Sequence, residues 1–272
     1  MNKKLLQFSV LILLFFFPTI SLAQGDLMIM PKRLVFDGSQ RSQEINLANT
    51  GSDTAVYAIS FVNYKMTESG NFEQVDSPEE GQRFAEGNLR YFPRRVTLAP
   101  NEAQTIRVQV TRTGNLEQGE YRSHMYFRAV EEQTALGQEE AQEAEGISIN
   151  IKTVFGISIP IIIREGASTT QINLSDISLN TEGENPKLSL VINRSGNMSV
   201  YGNIKVDHVS PEGVTTEVGM VKGVSVYTPN TKRNFSFELR SAGEVDLSTG
   251  KLRVSYSEEI GKALATKEIP LN

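Results

Sequence analysis

The sequence has no cysteine and no tryptophan, and only two histidines, His124 and His208. Without a thiol there is no disulfide, no thiolate nucleophile, no cysteine-ligated metal and no lipidated cysteine behind a leader. Two histidines leave little for metal sites or catalytic triads, and both are expected on strand or turn surfaces. Basic residues are outnumbered: Lys+Arg 27 against Asp+Glu 32 gives a net charge of −5. Such a chain offers no basic stripe to phosphates, which argues against a nucleic-acid partner. Helical periodicity is nearly absent. A glycine-rich phosphate loop, a nucleophile elbow and a paired-histidine motif are missing too, so neither an enzyme nor a cofactor is expected. The acidic pairs Glu79-Glu80 and Glu258-Glu259 are adjacent and would point to opposite faces of a strand, unable to act together as acid and base.

What is present is ordinary globular composition over 272 residues, 39% hydrophobic and 22% charged, enough for one or two domains. Residues 1–23 read MNKKLLQFSVLILLFFFPTISLA. A basic start, an apolar centre too short for a membrane span and small residues before Gln24 predict a cleaved signal peptide. The mature chain is then exported to the periplasm, with no membrane insertion. From there on, short apolar–polar alternations recur between Gly, Asn, Asp, Pro and Ser, which is strand patterning. Two sets of about seven strands predict an all-β chain of two tandem immunoglobulin-like β-sandwich domains, at 24–165 and 166–272. Residues 131–146 (EEQTALGQEEAQEAEG) carry six glutamates and no basic residue, and are expected to form an acidic flexible loop.

The segment 147–163 (ISINIKTVFGISIPIII) is three times an ordinary strand, with large apolar side chains at nearly every second position. Pro160 inside it predicts an edge strand, because proline cannot donate to a ladder. An edge with an unbroken apolar stripe invites a partner: backbone groups pair with another chain while alternate side chains fill its groove. Ile147, Ile149, Ile151, Phe155 and Ile157 are the candidate rungs of such a donor strand. A self-capping dimer would hide the stripe in the free protein. The competing reading is two core strands joined by a bend at Gly156.

Four stretches together resemble the PapD-like periplasmic chaperones of pilus and fimbrial assembly. They are 31–38 (PKRLVFDG) with 45–49 (INLAN), 92–100 (FPRRVTLAP) with 104–108 (QTIRV), 116–127 through GEYR and YF, and the terminal IIIR at 161–164. The resemblance is carried by residues 25–166 and by general shape only beyond them. It implies a boomerang of two Ig-like domains that lends its long edge strand to an incomplete subunit sandwich. It also implies cleft cations that hold the subunit's C-terminal carboxylate, with Arg33 at the arginine position. Where that family has a lysine on the long strand, this chain has Pro160, as in divergent members that serve spore-coat-like subunits. Lys152 is the nearest cation on the strand, and Arg122 is the candidate second cation. Arg164 is expected to be an interdomain structural residue paired with an acid of the second domain. The partners so implied are pilus-like or spore-coat-like subunits and an outer-membrane usher. The alternative function is a secreted tandem Ig-like structural or adhesive protein with the long strand buried internally.

Overall fold

A computed structural model describes residues 27–111, 114, 116–130, 156–182, 185–240, 245–258 and 261–271. The leader, the acidic segment 131–146 and the candidate rungs Ile147, Ile149, Ile151 and Phe155 lie outside the described residues, as does Lys152.

The first half contains β1 (Leu27–Met30), β2 (Leu34–Phe36), β3 (Ser42–Asn49), β4 (Ala55–Val62), β5 (Tyr64–Met66), β6 (Phe72–Gln74), β7 (Leu89–Phe92), β8 (Arg95–Leu98), β9 (Ala103–Val110), β10 (Gly119–Val130) and β11 (Gly156–Glu165). The second half contains β12 (Gln171–Asn180), β13 (Lys187–Ser195), β14 (Val200–Val209), β15 (Thr215–Val226), β16 (Lys232–Glu238), β17 (Lys251–Ser257) and β18 (Ala263–Pro270).

Sheets β1-β3-β9-β7 and β2-β11-β10-β4-β8 form one sandwich, β12-β13-β16 and β15-β14-β17-β18 a second, and β5-β6 stands apart as a hairpin. Each sheet is built wholly from strands before Gly166 or wholly from strands after it. The chain is therefore all-β, two tandem Ig-like sandwiches. In the first, Ile45, Leu47, Ile106 and Val108 of one sheet face Met125, Phe127 and Ile161 of the other, all fully buried. In the second, Leu188 and Ile192 meet Ile204, Val206, Val254 and Tyr256 in the same way. Burial of each such side chain is worth about 1.5–3 kcal/mol.

Two prolines mark places where the chain changes sheet. Residues 27–36 form a single apolar segment in sequence, but the chain leaves one sheet after Met30 and enters the other at Leu34, with Pro31 at the crossing. The same switch separates β7 from β8 at Pro93. A residue without an N–H ends a ladder, and the chain is then free to pair elsewhere.

The edge expectation for the long strand is corrected in part. Parallel pairing with β2 covers β11 at Ile161, Ile162 and Ile163. Before that, at 156–160, β11 pairs only with β10 among the described residues. Pro160 thus sits at the last position before the second ladder begins. Ile159, Ile161 and Ile163 are buried in the first sandwich, whereas Ile157 is 39% exposed.

Candidate functional site

Alternation gives β11 two faces. The odd set, Ile159 to Ile163, enters the core. The even set, Pro160, Ile162 and Arg164, lines a cleft of ≈ 650 Å³ between the two sandwiches. Its walls come from the Pro31 crossing, the β5–β6 hairpin, the outer face of β10, and β14 to β16. Among the described residues five cations line it, Lys32, Arg33, Arg122, Arg164 and Arg233, and no aspartate or glutamate does. In a chain of net charge −5, a positively charged cleft is a concentrated attraction for an anion.

Tyrosines set the arginine planes. The Arg33 guanidinium lies 4.0 Å from the Tyr201 ring centre and that of Arg122 lies 3.6 Å from Tyr227. Stacking fixes a guanidinium's face and leaves its N–H edge for in-plane acceptors.

Behind this wall is a buried hub. Glu120, with a fully buried side chain, accepts from Arg122 Nη2 at 2.6 Å through Oε1 and from Arg164 Nε at 3.2 Å through Oε2. From the second sandwich, the Ser199 amide and hydroxyl donate to Glu120 Oε2 at 3.1 and 2.7 Å. Arg122 Nη2 also donates to Ser199 Oγ at 2.6 Å, and Arg164 Nη2 to the Ser199 carbonyl at 3.0 Å. Burial alone would raise the Glu120 pKa. The two guanidinium charges and the Ser199 bonds outweigh it and hold the carboxyl below its ordinary value.

The expected partner of Arg164 is therefore corrected: the acid is Glu120 of the first sandwich, and the second contributes the Ser199 carbonyl. Glu120 and Arg122 are two apart on one strand and share a face, a signal present in the sequence. Arg33 and Arg122 do line one cleft. Arg122 is committed to Glu120, while Arg33 has no hydrogen bond or ion pair among the described residues.

The surface placement of both histidines is also corrected. His208 is buried, with Nε2 2.9 Å from the Thr249 carbonyl. His124 is buried beneath the β5–β6 hairpin, its ring 5.0 Å from Tyr64 and 6.2 Å from Phe72 and Tyr227. The hairpin folds over the outer face of β10, an arrangement that strand alternation cannot foresee. Burial, with the Arg122 charge adding to it, lowers the His124 pKa to about 3. In acid the unfolded chain takes up this proton first, so stability falls as pH drops from 6.5 toward 3. The Glu120 contribution is lost only below about 4.5, its unfolded value, as pH passes through the depressed folded pKa. Between pH 6.5 and 5, urea unfolding should show a loss of about 2 kcal/mol that His124→Leu removes.

The hairpin also ties the sandwiches together. Asn230 Nδ2 donates to the Met66 carbonyl at 2.6 Å, the Asn234 amide donates to the Glu68 carbonyl at 2.7 Å, and Lys232 pairs with Glu68 at 3.2 Å. At its turn, Gly70 (φ 86°) leaves the space that the Arg233 guanidinium occupies.

The chain matches no protein-family model and no curated protein. Among solved structures it is similar to a chain of the chaperone–tip adhesin complex of CFA/I fimbriae biogenesis, at 16% identity over 91% of this chain and 99% of that one, TM-score 0.46. It is also similar to the YadV chaperone, at 12% identity over 91% of this chain and 100% of that one, TM-score 0.45. A third is the Pseudomonas aeruginosa CupB2 chaperone, at 13% identity over 90% of this chain and 100% of that one, TM-score 0.43.

Proposed function

We propose that this protein is a chaperone for pilus-like or surface-fibre subunits that lends β11 to an incomplete sandwich and holds the subunit's C-terminal carboxylate in the interdomain cleft. The observation that carries the reading is the continuity of β11. Its first half, 156–160, has one side unpaired among the described residues and Ile157 exposed. Its even face runs directly into a cleft walled by cations. A client strand adding to that edge gains backbone hydrogen bonds, and its chain end is delivered to guanidinium edges shaped for a carboxylate. Release needs no nucleotide, only a competing strand that fits the client better. The segments expected to serve this function extend to the donor rungs Ile147, Ile149, Ile151 and Phe155 and to the periplasmic address of residues 1–23.

The test is co-expression with a candidate subunit that lacks its last strand. A 1:1 complex that protects the subunit from proteolysis is expected. Ile157→Asp should weaken that complex about tenfold or more while leaving the melting temperature nearly unchanged, since the side chain is already exposed. A monomer that ignores such subunits, or a complex indifferent to Ile157→Asp, would favour the tandem Ig-like structural reading, to which the burial of Ile159, Ile161 and Ile163 already lends weight.

A further inference from the structure

We propose that Arg233, from the second sandwich, is the partner of Arg33 in binding the client's carboxylate, so that capture bridges the two domains. The inference rests on the chaperone reading above and assigns the cations within it.

The five cleft cations are not equivalent. Arg122 and Arg164 share the one Glu120 carboxylate, so each already has an acid within ion-pair distance. Lys32 is exposed at the cleft mouth, a hydrated point charge. Arg33 and Arg233 remain, and neither has a carboxylate within ion-pair distance among the described residues. Arg233 Nη1 donates to the Ser225 carbonyl at 2.6 Å, and its buried Nε has no acceptor. Burial pulls its pKa below the ordinary value, partly offset by Tyr256 and Tyr227, as expected of a guanidinium whose charge is poorly compensated.

Arg233 is half-buried with an unpartnered Nε and no acid in reach among the described residues, so a ligand carboxylate would supply both a counter-charge and an acceptor. The surroundings hold Arg233 in place. It projects from β16 past Gly70, where any side chain would collide with the guanidinium, and its face lies 5.3 Å from the Phe235 ring centre. Pro160 contributes an uncharged part of the same cleft's wall. The counter-charge must be small enough for the cleft and must reach it along β11. A peptide C-terminus meets both conditions, since its two oxygens can accept from a guanidinium on each side.

The probe is an octapeptide of alternating valine and threonine, used as the free acid and as the C-terminal amide, with binding followed by calorimetry. The wild-type protein should prefer the acid by about tenfold, the worth of a charge-assisted pair. Arg33→Gln and Arg233→Gln should each bring acid and amide to within about twofold, with amide affinity unchanged, and Arg233→Lys should restore part of the preference. Gly70→Ala should lower the preference too, by displacing the guanidinium. The Arg233 Nε–H resonance offers a readout in the unmutated chain: it should move with the acid and not with the amide. If Arg33→Gln abolishes the preference while Arg233→Gln leaves it intact and the resonance is still, the Arg233 assignment is overturned and the anchor lies in the first sandwich alone. If the wild-type protein does not distinguish acid from amide, the cleft is no carboxylate site and the anchoring half of the chaperone reading falls with it. Strand lending would then stand or fall on the Ile157 variant.

Discussion

Glu120→Ala should lower the stability of the protein by about 3–5 kcal/mol, the cost of stripping the carboxylate from a buried ion pair. The cost does not arise because the pair is strongly stabilising when intact. A buried pair roughly repays its own desolvation, but the survivor of a broken one does not. After the substitution Arg122, with a side chain 9% exposed, keeps its charge beside Tyr227 with only Ser199 Oγ as acceptor among the described residues. Arg164 loses its acid, and the Ser199 amide and hydroxyl lose the acceptor that joins the second sandwich to the first. Urea unfolding measures the loss. Glu120→Gln should cost less, because an amide oxygen still accepts from Ser199. Combining Glu120→Gln with Arg122→Met should recover part of the deficit, since the uncompensated charge is gone. A loss below about 1 kcal/mol for Glu120→Ala would mean that water enters the hub, and the interface would have to be held by the β5–β6 hairpin instead.

Sequence patterning located most strands because the core faces alternate cleanly: Ile45 with Leu47, Ile106 with Val108, and Met125 with Phe127 each sit two apart, and all are buried. It could not see the sheet switches at Pro31 and Pro93, since an apolar–polar alternation reads the same whichever sheet receives it. At the site, the same rule put Arg122 on the cleft side of β10, whereas Arg33 was legible only through the family resemblance; both line the cleft. What it could not provide is the third dimension. The hairpin that buries His124, and the β16 arginine that enters past Gly70, meet the first sandwich only through folding of the whole chain. Glu120 was legible in principle from its spacing to Arg122, but a glutamate on a half-exposed strand usually reads as surface.

Arg194 carries the second large expected effect, about 2–4 kcal/mol for Arg194→Met, because one side chain here does the work of several backbone bonds. It is buried, without an acid in ion-pair reach among the described residues, and burial lowers its pKa, the field of Glu120 opposing the shift. Its Nε donates to the Asn230 carbonyl at 2.7 Å, Nη1 to those of Gly196 and Met198 at 2.8 and 2.9 Å, and Nη2 to that of Pro229 at 3.2 Å. One guanidinium fork thus ties two loops together. The first hands Ser199 to Glu120, and the second hands Asn230 to the Met66 carbonyl of the hairpin. Lysine at 194 could satisfy only some of these acceptors from a single nitrogen, so Arg194→Lys should recover little. Since the Ser199–Glu120 and Asn230–Met66 connections both pass through these loops, Arg194→Met and Glu120→Gln should not be additive: a double-mutant cycle is expected to give a coupling of about 1 kcal/mol. Additivity to within about 0.5 kcal/mol would show that Arg194 stabilises only its own sandwich.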